Sequence, residues 1–120
     1  MADQTSDIQE RMERAIGHKI QGEYDQAVAL LQGILAEAPE HPEAHHQLGL
    51  VYGFTGLFDE STEELETAAR LAPTDLPILI DLGKTHTMLG EYEKAISVFE
   101  RVLEMDPSND EAHKNLQFLR

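Results

Sequence analysis

The feature that most constrains the fold of this chain is a repeat of 34 residues. The stretch GEYDQAVALLQGILAEAP at 22–39 returns at 90–107 as GEYEKAISVFERVLEMDP, and a weaker copy, GLFDESTEELETAARLAP, lies between them at 56–73. A fixed period of this length is typical of stacked supersecondary units that bury their apolar faces against one another. The copies divide the sequence into three repeats and a remainder: 8–41, 42–75, 76–109 and 110–120.

Apolar residues recur at steps of three and four within each copy, from Tyr24 through Val28 to Leu35 in the first. This spacing is typical of one stripe of an amphipathic helix. A glycine precedes each stripe at a position that favours positive φ, and a proline closes it. These residues are Gly22, Gly56 and Gly90, and Pro39, Pro73 and Pro107. Each repeat is therefore predicted to be a first helix (A), a tight turn and a second helix (B).

The pattern resembles that of the tetratricopeptide repeat family, which combines a period of 34 residues with a helix–turn–helix unit. The segments LGLVY at 48–52 and LGKTH at 82–86 match the family's signature in the A helix. The B helices match its small and large apolar positions with Ala27, Ala95, Leu31, Leu65 and Phe99. The resemblance covers 8–120 and implies an all-α, right-handed α-solenoid of antiparallel helix pairs, with seven helices.

The same resemblance divides the chain into a short disordered segment at 1–7 and a single domain at 8–120, which ends in a capping helix at 110–119. Arg11, Arg14 and Ala15 replace the usual packing residues and glycine of the first A helix, while Ser61 takes a small-residue position. Because a terminal repeat has one face without a neighbour, we expect helix 8–20 to present a polar outer face. A piece of a longer array is an alternative interpretation of the whole chain.

Composition excludes several classes of function. The chain has 23 acidic residues against nine Lys and Arg, giving a net charge of −14, which repels nucleic acid and anionic membrane surfaces. Solubility is the ordinary explanation of this charge, and adaptation to high salt is the alternative. There is no cysteine, no secretion signal and no apolar run long enough to cross a bilayer. We therefore expect a soluble, cytoplasmic protein without a nucleic acid partner or membrane insertion.

By resemblance, function lies on the concave surface, which is lined mainly by the A helices. The predicted groove residues form an apolar stripe edged by mixed charge. They are Met12, Ile16, Ile20, His46, Gln47, Leu50, Phe54, Ile80, Lys84, Met88, Lys114 and Phe118. Such a stripe favours a protein partner that docks an amphipathic helix or an extended segment with basic flanks. In the competing interpretation, Ile16 and Leu50 pack between repeats instead.

Chaperone-binding members of the family hold the carboxylates of a peptide with Lys, Asn and Arg at defined groove positions. The corresponding positions here are Met12, Ile16, Gln47, Pro77 and Asp81. One repeat further along they are His46, Leu50, Asp81, Glu111 and Asn115. A charge-assisted carboxylate site needs fixed cationic donors. The sequence therefore argues against a co-chaperone of that type.

The remaining chemistry is sparse. His41, His45 and His46 are close in sequence, but Pro42 places His41 at or before the helix start, so the three do not converge as metal ligands. No phosphate-binding loop, nucleophile elbow or metalloprotease motif is present. We predict no metal, no cofactor and no catalytic residue. Two functions remain: a protein-interaction scaffold, or a structural module that assembles with itself. A designed array would show a stricter consensus than the irregular first and middle repeats do.

Overall fold

The computed structural model describes residues 4–120 of the chain. That part consists of seven helices and contains no strand. The A helices of the three repeats and the final helix alternate with the B helices. They are α1 (Gln4–Ile20), α2 (Tyr24–Glu37), α3 (Pro42–Phe54), α4 (Phe58–Leu71), α5 (Leu76–Met88), α6 (Tyr92–Met105) and α7 (Asp110–Leu119). The predicted all-α solenoid of paired helices is confirmed.

The start of the first helix differs from the prediction. Residues 1–3 of the segment predicted to be disordered lie outside the described residues, whereas residues 4–7 belong to α1. In the later repeats the position equivalent to Asp7 caps the A helix, because its side chain accepts a hydrogen bond from the backbone three residues on. The caps are His41, Asp75 and Asn109. Asp7 instead lies inside a longer helix and pairs with Arg11 at 2.9 Å.

Each turn from an A helix to a B helix requires a glycine, as the sequence predicted. Gly22, Gly56 and Gly90 have φ of 79°, 82° and 76°, in the left-handed region that other residues rarely adopt. The backbone N–H of the residue after each glycine donates to the carbonyl oxygen five residues before it, as in the bond from Leu57 N to Tyr52 O at 2.8 Å. This reverse bond satisfies a carbonyl at the end of the A helix and lets the B helix fold back at once.

Close helix packing within the second and third repeats also depends on glycine. A Cβ on Gly83 would lie 2.6 Å from Phe99 Cζ, and one on Gly49 would lie 2.8 Å from Leu65 Cγ. Ser61, a departure from the family pattern, is buried beside Gly49 and donates a hydrogen bond of 2.7 Å to its carbonyl oxygen. The two helices of a repeat therefore touch without an intervening side chain.

The two ends of the solenoid are finished differently. Helix α7 buries Ala112 and Leu116 against the core of the third repeat, so it caps that end as predicted. At the other end Arg14 is exposed, but Arg11 is not part of a solvated face. The Arg11 side chain is only 18% exposed, and its guanidinium lies 2.5 Å from Glu37 of α2. The first repeat thus uses an ion pair to hold α1 against α2.

The glycine contacts predict opposite effects for two Gly-to-Ala substitutions in A helices. Gly83→Ala should lower the free energy of unfolding by about 1–3 kcal/mol, because Phe99 must move away from the new methyl group. Gly17→Ala meets nothing within 4 Å and should raise it by about 0.5–1 kcal/mol through the better helix propensity of alanine. Urea unfolding followed by circular dichroism measures both changes. Equal effects would contradict the packing described here.

Candidate partner-docking groove

Four parallel helices form the surface on which the predicted groove residues lie. Helix α3 contacts both α1 and α5, and α5 contacts α7, so the A helices stand side by side with α7 as the fourth member. Helices in such contact have axes about 8–10 Å apart. Equivalent side chains therefore recur along this surface at roughly that step, and we refer to the surface formed by α1, α3, α5 and α7 as the groove.

The structure separates the predicted groove residues by exposure. The large apolar side chains of Ile20, Phe54, Met88 and Phe118 are 75%, 61%, 67% and 77% exposed. Two predicted cationic residues are also exposed, and two aliphatic residues are half-buried. The cationic pair is Lys84 and Lys114, and the aliphatic pair is Ile16 and Leu50. The exposed residues form the accessible part of the predicted stripe.

The other four predicted residues are buried: Met12, His46, Gln47 and Ile80. Met12 and Ile80 are corrections, because they are 3% and 9% exposed and belong to the two hydrophobic clusters of the core. Their A-helix position points toward the neighbouring repeat rather than outward. His46, at the equivalent position in the second repeat, is buried too but engages polar partners across the groove floor. These four side chains lie beneath the exposed residues of the groove.

One cavity of about 260 Å³ opens on the groove between the second and third repeats. It brings together four predicted residues, Leu50, Phe54, Lys84 and Met88, and adds the aromatic ring of Phe58 from α4. Phe58 occupies the position of Tyr24 at the start of the apolar stripe of its B helix, and this pattern gave no sign that it lines the groove. The walls are mainly apolar, and Asp81 and Lys84 contribute the charged groups.

A polar network joins the first two A helices across the groove floor. Lys19 Nζ of α1 donates to Gln47 Oε1 of α3 at 2.6 Å, and Gln47 Nε2 donates to Glu43 Oε1 at 2.7 Å. Burial lowers the pKa of Lys19, although the nearby carboxylates of Glu43 and Asp81 oppose that change. Gln47 thus relays between a partly buried ammonium group and a carboxylate.

His46 extends this network from α3 to α5. Its Nε2 lies 2.7 Å from Asp81 Oδ2, and its Nδ1 lies 3.4 Å from Glu43 Oε2. Because both neighbours are carboxylates, both ring nitrogens donate and the ring is an imidazolium. Burial disfavours that charge, but the hydrogen bonds to Asp81 and Glu43 raise the pKa of His46 to about 9. The bond from His46 is the main reason why the pKa of Glu43 is lowered.

The two exposed lysines among the predicted groove residues are also paired. Lys84 of α5 forms an ion pair with Glu111 of α7, and Lys114 lies 3.0 Å from Asp110. A peptide carboxylate that approached either ammonium group would meet the repulsion of the Glu111 or Asp110 carboxylate already paired with it. Within the described residues, the groove therefore offers exposed apolar side chains, while Lys84 and Lys114 already have carboxylate partners.

The other histidines make local structural hydrogen bonds. His45 and His113 occupy equivalent positions, and their Nε2 atoms lie 2.7 and 2.8 Å from the carbonyl oxygens of Pro39 and Pro107. His18 and His86 each place Nδ1 3.0 Å from the glutamate that precedes the B helix. Among residues 4–120 no three His, Asp or Glu side chains form a group that could hold a metal ion.

None of the helices between residues 4 and 120 combines the length and apolar character that crossing a bilayer requires.

The sequence profile of the tetratricopeptide repeat matches residues 40–108, more than half of the chain. With the paired helices and turn glycines described above, this match establishes that the chain belongs to the tetratricopeptide repeat family.

Individual relatives share this repeat over part of their length. The chain is 32% identical to BBSome complex member BBS4 of Mus musculus over 77 residues, which are 64% of this chain and 15% of that protein. It is also 32% identical to the protein CTR9 homolog of Arabidopsis thaliana over 92 residues, 76% of this chain and 8% of that protein. The chain thus spans only a small part of the length of both relatives.

A solved structure of similar size has the same fold. The first TPR domain of Spaghetti (RPAP3), bound to the HSP90 peptide SRMEEVD, superposes with a TM-score of 0.87 at 23% identity. The superposition covers 93% of this chain and 89% of that chain. At this identity the likeness establishes the arrangement of the helices.

The His46 network predicts a titration that can be measured directly. The His46 imidazole should titrate with a midpoint near 9 by NMR, and Asp81→Asn should lower the midpoint because the variant removes one carboxylate. Since the folded pKa lies above the ordinary value of 6.5, the stability that His46 contributes is fully present below that value and is lost as the pH rises through 9. A midpoint near 6.5 in the wild type would contradict the network.

Proposed function

We propose that this chain is a non-catalytic protein-interaction scaffold of the cytoplasm that docks a segment of another protein in its groove. The observation that carries the proposal is the exposure of Phe54 and Met88 beside the cavity between the second and third repeats. Large apolar side chains that surround an open cavity are typical of a binding surface. Covering them with a partner would remove apolar area from water and so favour association.

The comparisons support the same class of function. The RPAP3 domain binds an HSP90 peptide, which shows that a TPR domain of this size can hold a peptide. The mouse relative is a member of a multiprotein complex. We infer by analogy that this chain also contributes a docking surface to an assembly.

The contacts of the groove favour an apolar mode of docking. The Lys84 ammonium group already pairs with Glu111, and Lys19 is partly buried against Gln47. A ligand held by its terminal carboxylate would have to compete with these internal contacts. Apolar side chains can instead enter the cavity beside Leu50 without breaking an ion pair. We therefore propose an amphipathic partner with basic flanks, for which the net charge of −14 also provides electrostatic attraction.

Two matched substitutions test the docking proposal. Met88→Lys places a charge at the exposed edge of the cavity, whereas Met105→Lys makes the same change at an exposed methionine in the B helix α6. Affinity capture with each variant, compared quantitatively with the wild type, should show a partner whose recovery falls roughly tenfold with Met88→Lys alone. Equal recovery of every captured protein with both variants would contradict groove docking.

Self-assembly through the groove is the alternative function. Sedimentation velocity of the wild type distinguishes it, because the docking proposal expects a monomer over a wide range of concentration. A dimer that Met88→Lys dissociates and Met105→Lys leaves intact would favour self-assembly instead.

A further inference from the structure

An apolar strip continues from the cavity along the whole end of the groove where A helices turn into B helices. It consists of three pairs of large side chains, one pair for each repeat boundary and one at the cap. The pairs are Tyr24 with Phe54, Phe58 with Met88, and Tyr92 with Phe118. We call these six residues the edge strip. Four of them are highly exposed, and Tyr24 and Phe58 are half-buried.

The first two pairs of the edge strip occupy equivalent positions in successive repeats, whereas Phe118 of the third pair lies at the position of Lys84. The rings of Tyr24 and Phe54 stack with centroids 5.9 Å apart. Their equivalents one repeat later, Phe58 and Met88, both line the cavity between the second and third repeats. Tyr92 has no further A helix to meet, and Phe118 of α7 shares a small cavity with it instead. The strip is therefore a ladder of three apolar rungs rather than a set of isolated side chains.

A row of carboxylates accompanies the ladder on its B-helix side. The residue after the B-helix ring of each pair, which is Tyr24, Phe58 or Tyr92, is acidic: Asp25, Asp59 and Glu93. All three are exposed, and none has an ion pair or a side-chain hydrogen bond within residues 4–120. Each lies in the first turn of its helix, where a negative charge is favourable. Their negative charge remains available to a partner, unlike that of Asp81 or Glu111.

The step between rungs matches the repeat of a helix. Adjacent A helices in contact are about 8–10 Å apart, and seven residues of an α-helix rise about 10.5 Å and return to nearly the same face. A helix of about 15 residues thus spans all three rungs. Because an amphipathic helix carries its charged residues beside its apolar stripe, a basic flank would meet the carboxylate row when the stripe covers the rungs.

We propose that the edge strip binds an amphipathic helix of a partner protein, with apolar residues at heptad spacing on the rungs and Arg or Lys against Asp25, Asp59 and Glu93. This inference deepens the proposed function, on which it rests, by naming the form and chemistry of the docked segment. A second copy of this chain is a poorer occupant, because it would bring its own unpaired carboxylates to the same strip.

A synthetic peptide tests the proposal without knowledge of the natural partner. The probe is a labelled amphipathic helix of about 15 residues with leucine on one stripe and arginine along one flank. Two further peptides are compared: a scrambled one of the same composition, and an extended proline-rich one with leucine at every third position, whose spacing of about 9 Å also matches the rungs. Binding to the full chain is measured by fluorescence anisotropy.

A matched pair of triple variants separates local pairing from net charge. The strip variant carries Asp25→Asn, Asp59→Asn and Glu93→Gln. The control carries Glu10→Gln, Glu40→Gln and Glu104→Gln at exposed positions away from the strip. Each variant loses three negative charges. We expect the helical peptide to bind the strip variant roughly tenfold more weakly than the wild type, as three lost surface ion pairs would produce, and the control nearly as tightly as the wild type.

Several results would overturn the inference. These are equal weakening by both triple variants, equal binding of the scrambled peptide, and tighter binding of the extended peptide than of the helix. Unchanged affinity of the helical peptide for the variants Met88→Ser and Tyr92→Ser would also overturn it, because both residues are exposed members of the rungs. Failure of the helical peptide to bind overturns this inference alone. The proposed function is contradicted separately, when Met88→Lys and Met105→Lys capture the same proteins.

Discussion

The close approach of the two helices within a repeat is the constraint on which the rest of the structure depends. Gly83 leaves no side chain between α5 and α6, so the ring of Phe99 fills the space directly. Gly49 and Leu65 make the same contact one repeat earlier. Because these B helices pack tightly against their A helices, the A helices pack side by side and form a continuous surface.

On that surface the polar groups of the floor are paired with one another, whereas the large apolar side chains at one end are exposed. The floor satisfies its own polar groups: Lys19, Gln47, Glu43, His46 and Asp81 form a connected set of hydrogen bonds across three A helices. The end near the A-to-B turns instead leaves large apolar side chains in water. Buried polar networks that are fully paired help to hold one geometry. The floor therefore holds the spacing between repeats, and the exposed end is the part that we propose as the docking surface.

Much of this architecture could be predicted from the sequence because it follows local rules. The period placed the helices, the turn glycines required positive φ, and the prolines closed the B helices. The rotation of each A helix about its own axis was harder to predict from the sequence. Met12 and Ile80 looked like groove residues because the helical period alone does not show which neighbouring repeat faces a given side chain.

The polar contacts between repeats could not be predicted at all. The bond between His46 and Asp81 joins residues 35 positions apart, and it depends on how one repeat is rotated against the next. The equivalent position holds Met12 in the first repeat and Ile80 in the third, so the repeat pattern itself contained no signal for the bond. The ion pair between Lys84 and Glu111 could not be predicted for the same reason. These pairs engage two of the predicted groove residues, His46 and Lys84, in contacts within the chain.

We propose that the exposed apolar residues of the groove serve binding and not folding. The free energy of unfolding of a variant with Ile20→Ser, Met88→Ser and Phe118→Ser tests it most directly, because these are the three most exposed of them. We expect a combined loss below about 1 kcal/mol, as for ordinary surface substitutions. A loss of about 2–5 kcal/mol, as expected for a core truncation such as Leu65→Ala, would show that these side chains stabilise the fold and would contradict the claim.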